Sequence, residues 1–211
     1  MQTITAKLTL KAAKEIAGTL GKPSKMPGLS YGISAKECIT GAALAKIPGT
    51  VCHGCYALKA NYSYPSVMKA HIKRGEAINH PLWVDAMVTQ ILASMTGYFR
   101  WHDSGDLQSF QHLLNIVKVA EKCPSVVFWL PTKEKKFVSQ FLNNFGAFPN
   151  NLIVRVSGAM VDGEKPDFEH TSTVVTDSKK ATCRAFENQN KCGTCRLCWN
   201  KDFKNVAYLK H

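Results

Sequence analysis

The chain has 211 residues, of which 45% are hydrophobic and 20% are charged, and its formal net charge is +12. That length is enough to bury one core, and the hydrophobic content is ordinary for a globular protein. No apolar run approaches the roughly 18 residues that a membrane-spanning helix needs, so the sequence predicts no membrane association. The basic excess suits a nucleic acid, an anionic substrate or an acidic protein partner.

The first residues, Met1–Lys7, lack the charged and then apolar layout of a signal peptide. We therefore expect a cytoplasmic protein, in which cysteines stay reduced. We expect one domain over residues 1–211, with an N-terminal cysteine loop at 25–64, a βα core at 98–177 and a C-terminal cysteine segment at 183–199.

The N-terminal half is predicted to be helical at its two ends. A helix is expected over Leu8–Leu20, and further helices over Pro65–Met95 with an interruption near Pro81. The stretch between them, Gly21–Tyr64, is rich in Gly, Pro, Ser and Cys and predicts a long loop with one strand near Leu29–Ile33. A loop of that length inside a compact domain is usually functional, and its cysteines favour that interpretation here.

From residue 98 onward, short apolar strands alternate with amphipathic helices. The predicted elements are strand Tyr98–Trp101, helix Leu107–Glu121, strand Val126–Leu130, helix Lys133–Asn143, strand Leu152–Val156 and strand Thr173–Thr176. This order implies parallel βα units. The expected fold class is therefore α/β, a partial or irregular TIM-like barrel with long cysteine-bearing loops, and an open doubly wound sheet is the alternative.

Polar residues follow the predicted strands, where chemistry is located in both architectures. His102, Asp103 and Asp106 come directly after the first strand of the core. A histidine flanked by two carboxylates can transfer protons or orient a ligand, so these three are candidate catalytic residues. The alternative is that Asp103 or Asp106 only caps the following helix.

Seven of the eight cysteines form two groups. The N-terminal group is spaced C-x13-C-x2-C and the C-terminal group C-x8-C-x2-C-x2-C; their members are Cys38, Cys52 and Cys55, and Cys183, Cys192, Cys195 and Cys198. Cysteines three residues apart let several thiolates converge on one point, as metal ions and iron–sulfur clusters require. Cys123 stands apart and is expected to be a buried hydrophobic residue.

The spacing favours iron–sulfur clusters over zinc. Zinc sites more often use two C-x2-C pairs with a long spacer, whereas three cysteines at a pitch of three residues suit a cubane. The expected cofactor is a [4Fe-4S] cluster, and a [3Fe-4S] cluster is the alternative for the three-cysteine group, which leaves one position open. Zinc remains an alternative, including one site shared by Cys52, Cys55 and two C-terminal cysteines.

Several motifs together resemble the phage-encoded proteins named after mycobacteriophage gene product 88. They are Pro27-Gly-Leu-Ser-Tyr-Gly, the Cys38 to Cys55-Tyr-Ala-Leu-Lys loop, Trp101-His-Asp-Ser-Gly-Asp, Trp129-Leu-Pro-Thr-Lys and the closing Cys-x-x-Cys-x-x-Cys-Trp. The resemblance covers the chain from about Lys25 to Trp199. It implies a viral protein made in a bacterial host cytoplasm, and it implies no defined reaction.

A more distant similarity is to radical S-adenosylmethionine enzymes. Those enzymes use a partial TIM barrel and three cysteines in an early loop, which leave one iron free to chelate the cofactor. The resemblance therefore implies S-adenosylmethionine at the N-terminal group. This chain has the spacing C-x13-C-x2-C instead of C-x3-C-x2-C, and it has no clear Gly-Gly-Glu motif at a strand end.

Two functional hypotheses follow from these patterns. The first is a phage iron–sulfur protein with redox or radical-type chemistry at a cysteine-ligated cluster, acting on a small molecule or with a redox partner that the sequence does not identify. The second is a zinc-stabilised nucleic-acid-binding protein without catalysis. In that hypothesis the basic residues near the C-terminal cysteines bind the backbone, and Trp199 and Phe203 stack on bases.

Overall fold

The computed structural model describes residues 8–210, so Met1–Lys7, which bear on the signal-peptide prediction, lie outside the described residues. The helices are α1 (Leu10–Ala17), α2 (Ile39–Leu44), α3 (Pro65–Ala77), α4 (Trp83–Ala93), α5 (Phe110–Lys122) and α6 (Lys135–Phe145). The strands are β1 (Leu29–Tyr31), β2 (Tyr98–Trp101), β3 (Val127–Thr132), β4 (Leu152–Val161), β5 (Thr171–Val175) and β6 (Asn205–Leu209).

The six strands form a single sheet in which every neighbouring pair is parallel and the order is β1-β2-β3-β4-β5-β6. The predicted α/β class and parallel sheet are confirmed. A doubly wound sheet has a point at which the strand order reverses. The sequential order in residues 8–210 contains no such point, so the alternative of a doubly wound sheet is wrong.

One face of the sheet packs against the helices, and we call it the helix face. Successive side chains of a strand point to opposite faces, so alternate residues of β2 to β4 share this face. They include Phe99, Trp101, Phe128, Leu130 and Val154, all at most 6% exposed. They pack against apolar residues of α4, α5 and α6, and this layer forms the main hydrophobic core.

The opposite face, which we call the cysteine face, is covered by the segment 183–203. Trp129 of β3 and Val206 of β6 pack there against Cys198 and Trp199. The Trp199 indole also donates a hydrogen bond of 2.9 Å to the carbonyl of Phe99. The C-terminal cysteine segment therefore lies on the sheet as part of a second, smaller core.

Two arginines on the strands lie away from the helix face. Arg100 follows Phe99 in β2, and Arg155 follows Val154 in β4. Arg155 is 0% exposed. A buried cation inside an apolar run is costly unless its donors are satisfied, so Arg155 marks local polar structure on the cysteine face.

The chain departs from the sequence predictions at several element ends. The helix predicted from Leu107 begins at Phe110, because the Ser109 side chain caps it by accepting a hydrogen bond of 3.0 Å from the amide of His112. The interpretation of Asp103 or Asp106 as the cap of this helix is therefore wrong. β4 continues five residues past its predicted end at Val156, and β6 was not predicted.

No helix within residues 8–210 is long and apolar enough to cross a membrane.

Candidate metal centre

The N-terminal cysteine loop lies across the carboxyl edge of the sheet. The amide of Val51 donates to the carbonyl of Ala159 at 2.8 Å, and the amide of Val161 donates to the carbonyl of Gly49 at 3.0 Å. Near the other side of the same edge, the Tyr56 hydroxyl donates to the carbonyl of Asp103 at 3.0 Å. These contacts hold the loop over the ends of β2 and β4, where parallel α/β proteins carry their sites.

The thiols of the N-terminal group converge beside Gly41 in α2. A Cβ atom at Gly41 would lie 3.5 Å from Sγ of Cys38 and 3.6 Å from Sγ of Cys52. Glycine at this position keeps open the space between the two sulfur atoms. Cys55 is close enough for its charge to act on both thiols. The structure thus brings together the three cysteines that the spacing predicted.

The surroundings of these thiols favour their neutral form. Burial raises the pKa of Cys38 to about 12, and the charges of Asp106, Cys55, Cys52 and Glu134 add to the effect. Burial also raises the pKa of Cys52, which the nearby ammonium of Lys133 partly offsets. A cysteine thiol must lose its proton before it binds a metal, so a bound metal has to supply the positive charge that stabilises the buried thiolate.

A carboxylate network holds the loop to the ends of β2 and β3. Asp106 Oδ1 accepts from the Leu107 amide at 2.7 Å and from the Thr132 hydroxyl at 2.6 Å, and Oδ2 accepts from the Lys133 amide at 2.8 Å. Burial raises the pKa of Asp106 to about 6, although these three hydrogen bonds lower it. Asp106 is therefore a predicted site residue that does lie near the thiols, and its oxygens fix the backbone that carries Lys133.

Glu134 joins this network to the cysteine loop. Its two carboxylate oxygens each accept a hydrogen bond of 2.9 Å from Thr40, one from the amide and one from the hydroxyl. Thr40 stands two residues after Cys38. The Lys133 ammonium meanwhile donates to the carbonyl of Gly158 at 2.7 Å. The buried Glu134, just after the end of β3, thus positions the segment that carries Cys38.

His102 and Asp103 do not join the thiols. His102 has a left-handed backbone with φ of 51°, is 3% exposed, and its ring lies 5.3 Å from the ring of His112. Burial, followed by the nearby His112, lowers the pKa of His102 well below its usual value. Asp103 contributes its backbone carbonyl, which accepts from the Tyr56 and Tyr62 hydroxyls. The three residues predicted as one catalytic set thus have different contacts: His102 packs on His112, Asp103 accepts from two tyrosines, and Asp106 lies near the thiols.

The C-terminal group is held to the sheet through its backbone. The amide of Cys183 donates to the carbonyl of Ala207 in β6 at 3.0 Å, and the amide of Cys192 donates to the carbonyl of Lys25 at 2.8 Å. Burial and the charge of Cys195 raise the pKa values of both Cys183 and Cys192. These charge effects show that the cysteines predicted as one group by spacing are neighbours in space.

Cys198 is the innermost member of the C-terminal group. It is 9% exposed, and its Sγ lies 3.1 Å from the hydroxyl of Tyr208. Burial raises the pKa of Cys198 to about 12, while the hydrogen bond to Tyr208 lowers it. The tyrosine hydroxyl is a ready donor to this sulfur when the sulfur is a thiolate.

Arg155 fastens the C-terminal segment to the sheet. Its guanidinium donates to the backbone carbonyls of Leu197, Cys198 and Asn200 at 3.0, 3.0 and 2.8 Å. It also donates to the carbonyls of Thr171 and Lys204 at 3.4 and 3.2 Å. A single buried cation thus fixes the turn that carries Cys198.

Arg100 contacts a neighbour of the N-terminal group and acts by its charge on the C-terminal group. Its guanidinium donates to the Tyr56 hydroxyl at 3.3 Å, and Tyr56 follows Cys55 in the chain. The same guanidinium stacks on Trp129 at 4.5 Å, and its charge acts on Cys198. The sequence analysis assigned no role to Arg100 or Arg155. A charged residue inside an apolar strand is unusual, and this pattern could have indicated a structural role for both.

The eight cysteines are free thiols, and Cys123 is buried in the main core as predicted. Within residues 8–210, no group of three or more His, Cys, Asp or Glu side chains is arranged so that it could hold a metal ion. The chemistry of the donors, which are thiols without disulfide partners, fits a thiolate-bound metal group.

These features define an α/β protein with one six-stranded parallel sheet and two groups of free cysteines. The chain belongs to the family described as Gene product 88, whose model matches residues 3–201. The resemblance to that phage family is thereby confirmed, whereas a relation to radical S-adenosylmethionine enzymes is not shown. No curated protein and no solved structure is significantly similar to the chain.

Proposed function

We propose that this protein is an iron–sulfur metalloprotein with redox or radical-type chemistry at the N-terminal cysteine group. The observation that carries the proposal is the position of Cys38, Cys52 and Cys55, which converge at the carboxyl edge of a parallel sheet. Active sites of parallel α/β proteins lie at this edge. Three thiolates leave one metal position open, as a reactive site requires.

The spacing of the cysteines favours a polynuclear cluster over a single zinc ion. In a cluster each thiolate binds a different iron, and cysteines three residues apart, which both groups contain, suit that arrangement. We propose a [4Fe-4S] cluster at each group, with a [3Fe-4S] cluster as the alternative on the three N-terminal cysteines.

The residues around the N-terminal group have separate tasks in this proposal. A bound cluster would supply electron transfer and an open iron position. Lys133 would provide positive charge beside the thiolate of Cys52, whose charge already acts on it. Glu134 and Asp106 would hold the cysteine loop and the Lys133 backbone in register. His102, with both ring nitrogens lacking a described partner, stays on the helix side of this site.

The sequential strand order of the parallel sheet also supports the proposal that the fold is a partial TIM-like barrel. Its helix face carries the helices, and its cysteine face is filled by side chains and by the C-terminal segment. That distribution is the one expected of a barrel wall, which has helices outside and packed side chains inside. The proposed location is the cytoplasm of the bacterial host, where reduced thiols and clusters persist.

The proposal is tested by the metal content of anaerobically purified protein. We expect iron and sulfide in equal amounts with a broad visible absorption band, and Cys55→Ser and Cys195→Ser should each lose about half of the iron. Cys123→Ala is the matched control and should lose none, because Cys123 lies in the core away from both groups. Adding S-adenosylmethionine to the reduced protein and recording its spectrum tests the ligand implied by the more distant resemblance.

Zinc without iron would overturn the proposal. Together with DNA or RNA binding that weakens as salt increases, it would establish the nucleic-acid-binding alternative. Loss of all iron from only one of the two serine variants would leave one cluster and make the other group structural.

A further inference from the structure

A cavity of about 340 Å³ lies between α3 and the segments that follow the first two strands. Its lining residues include Ile33 and Glu37 after β1, Gln108 after β2, and His71 and Glu76 of α3. None of the cysteines lines it, so it is separate from both groups of thiols. Its volume is within the range of small-molecule sites, and parallel α/β proteins bind their ligands at the carboxyl ends of their strands.

Several hydrogen-bond acceptors in the wall of this cavity have no partner. Glu37 and Glu76 are exposed, and within residues 8–210 neither carboxylate makes a hydrogen bond or an ion pair. The side-chain amide of Gln108 donates to the carbonyl of Asp106 at 2.9 Å, while its oxygen accepts nothing in the same part of the chain. The cavity therefore offers acceptors to a ligand that carries donors.

His71 adds a buried acceptor to the same wall. It is 5% exposed, its ring stacks on Tyr62, and its imidazole makes no hydrogen bond to any described residue. Burial, followed by the charge of Arg74, lowers the pKa of His71, so the ring is neutral and one of its nitrogens accepts. A buried polar group without a partner is costly, and a donor from a ligand in the cavity would satisfy it.

The charge of the cavity is opposite to that of the chain. The protein has a formal net charge of +12, yet two glutamates and no lysine or arginine are among the residues that line the cavity. Arg74 of α3 is not part of the lining, and its guanidinium donates to the carbonyls of Thr19 and Gly32. The cavity thus favours a cation over a phosphate or a carboxylate.

Gly75 leaves the cavity open on the side of α3. A Cβ atom there would meet only the Cβ of Ile33, at 4.0 Å, and the backbone is helical without a positive φ. Neither a close contact nor the backbone conformation therefore requires glycine at this position. Glycine inside a helix lowers its stability relative to alanine, so the space is kept at a cost to the helix.

We propose that this cavity binds a small organic cation, an aliphatic amine held by Glu37 and Glu76. An ammonium group carries three donors and no acceptor, which complements the unpartnered acceptors of the wall. Its carbon chain would pack against the buried Ile33 and against Ile72, an apolar side chain of the lining that is 54% exposed. The inference does not depend on a metal at either cysteine group.

The test is calorimetric titration of the anaerobically purified protein with putrescine, an aliphatic diamine. We expect one site, with binding at least roughly tenfold weaker for the neutral butanediol of the same length and no binding of the dicarboxylate succinate. Glu37→Gln/Glu76→Gln should weaken putrescine binding roughly tenfold, as two partly exposed ion pairs are lost. Gly75→Leu should abolish it, because the new side chain occupies the cavity while leucine favours the helix.

Each variant has a matched control. Glu15→Gln/Glu121→Gln removes the same charge at exposed positions of α1 and α5 that do not line the cavity. Gly97→Leu adds the same side chain just before β2, where a new Cβ meets no atom within 4 Å. Both should bind putrescine as the wild type does.

The outcomes separate this inference from the proposed function. Absence of putrescine binding, equal weakening by the two glutamine double variants, or unchanged binding in Gly75→Leu overturns the amine site. Binding of Mn²⁺ that excludes putrescine and is lost in Glu37→Gln/Glu76→Gln assigns the carboxylates to a metal ion instead. A protein that binds putrescine but contains no iron overturns the proposed function alone, and one that contains iron but binds no amine overturns this inference alone.

Discussion

Replacing Arg155 with methionine should weaken the attachment of the C-terminal cysteine segment to the sheet. The guanidinium is 0% exposed and makes three hydrogen bonds of at most 3.0 Å to the carbonyls of Leu197, Cys198 and Asn200. Methionine is close to arginine in length and can fill part of the space, but it donates no hydrogen bond. In the variant, the buried carbonyl groups of Leu197, Cys198 and Asn200 lose these hydrogen-bond donors.

The size of the effect follows from those contacts. A hydrogen bond from a charged donor contributes about 1.5–3 kcal/mol, and three of them would sum to about 4.5–9 kcal/mol. Keeping the cation buried opposes this gain, and the lowered pKa of Arg155, caused by burial, reflects that cost. We therefore expect a net loss of about 3–5 kcal/mol in the free energy of unfolding, comparable to breaking a buried ion pair.

The assay is urea unfolding of the anaerobically purified protein, combined with its iron content. Arg155→Met should unfold at lower urea and lose the iron proposed for the C-terminal group. It should keep the iron proposed for the N-terminal group, whose loop is held by the hydrogen bonds of Glu134 with Thr40. Arg184→Met is the matched control. Arg184 is exposed and pairs with Glu187 on the surface, so its loss should cost less than about 1 kcal/mol.

Two results would refute this reasoning. One is an Arg155→Met protein as stable as the wild type, which would mean that the five carbonyls find other donors. The other is equal loss of iron from both groups, which would mean that Arg155 supports the whole fold and not the C-terminal segment in particular.

Three further substitutions have expected effects on separate parts of the site. Tyr208→Phe removes a donor to Cys198 and should lower the reduction potential of the C-terminal cluster by about 20–60 mV in a redox titration, since one hydrogen bond contributes about 0.5–1.5 kcal/mol. Burial lowers the pKa of His112 from 6.5 to about 3. As the pH falls below 6.5, His112 is therefore protonated in the unfolded chain but not in the folded protein, and the free energy of unfolding decreases until the pH reaches about 3. Between pH 6.5 and pH 5, the free energy of unfolding measured with urea should therefore decrease by about 1–2 kcal/mol less in His112→Phe than in the wild type. Gly41→Val, which adds methyl groups beside the sulfur of Cys38, should remove the iron of the N-terminal group alone.

Two of these predictions have a matched control variant, and the third has an outcome that contradicts it. Tyr64→Phe changes an exposed tyrosine and should leave both potentials unaltered. Gly97→Val adds a side chain where no atom lies within 4 Å of the new Cβ, so it should keep all the iron. A pH dependence of stability that is the same in the wild type and in His112→Phe would show that the pKa of His112 is not lowered by folding.

The fold was predictable wherever local pattern and burial agree. The apolar runs at Tyr98–Trp101 and Leu152–Val156 became strands because both faces of the sheet are covered there. The strand β6 escaped prediction, since its five residues carry no flanking helix pattern. It is defined by long-range pairing with β5, from Thr171–Asn205 to Val175–Leu209, which a local window cannot detect.

Cysteine spacing predicts which thiols lie near one another, whereas the positions of the polar side chains depend on tertiary contacts. Cysteine spacing restricts where thiols can meet, so Cys38, Cys52 and Cys55 were found together. The position of the His102 ring could not be predicted from the rule that polar side chains after a strand share one edge. Its positive φ breaks the strand alternation after Trp101, and its ring packs against His112 on the helix side.

A cation acts on thiols of each cysteine group. The thiolate-bound clusters that we propose would carry net negative charge, and burying that charge is costly without a nearby cation. Arg100 contacts Tyr56, next to Cys55, but its positive charge acts on Cys192 and Cys198 of the C-terminal group. In the N-terminal group the charge that acts on Cys52 is that of Lys133. Each proposed cluster would therefore have its own neighbouring cation to offset part of its charge.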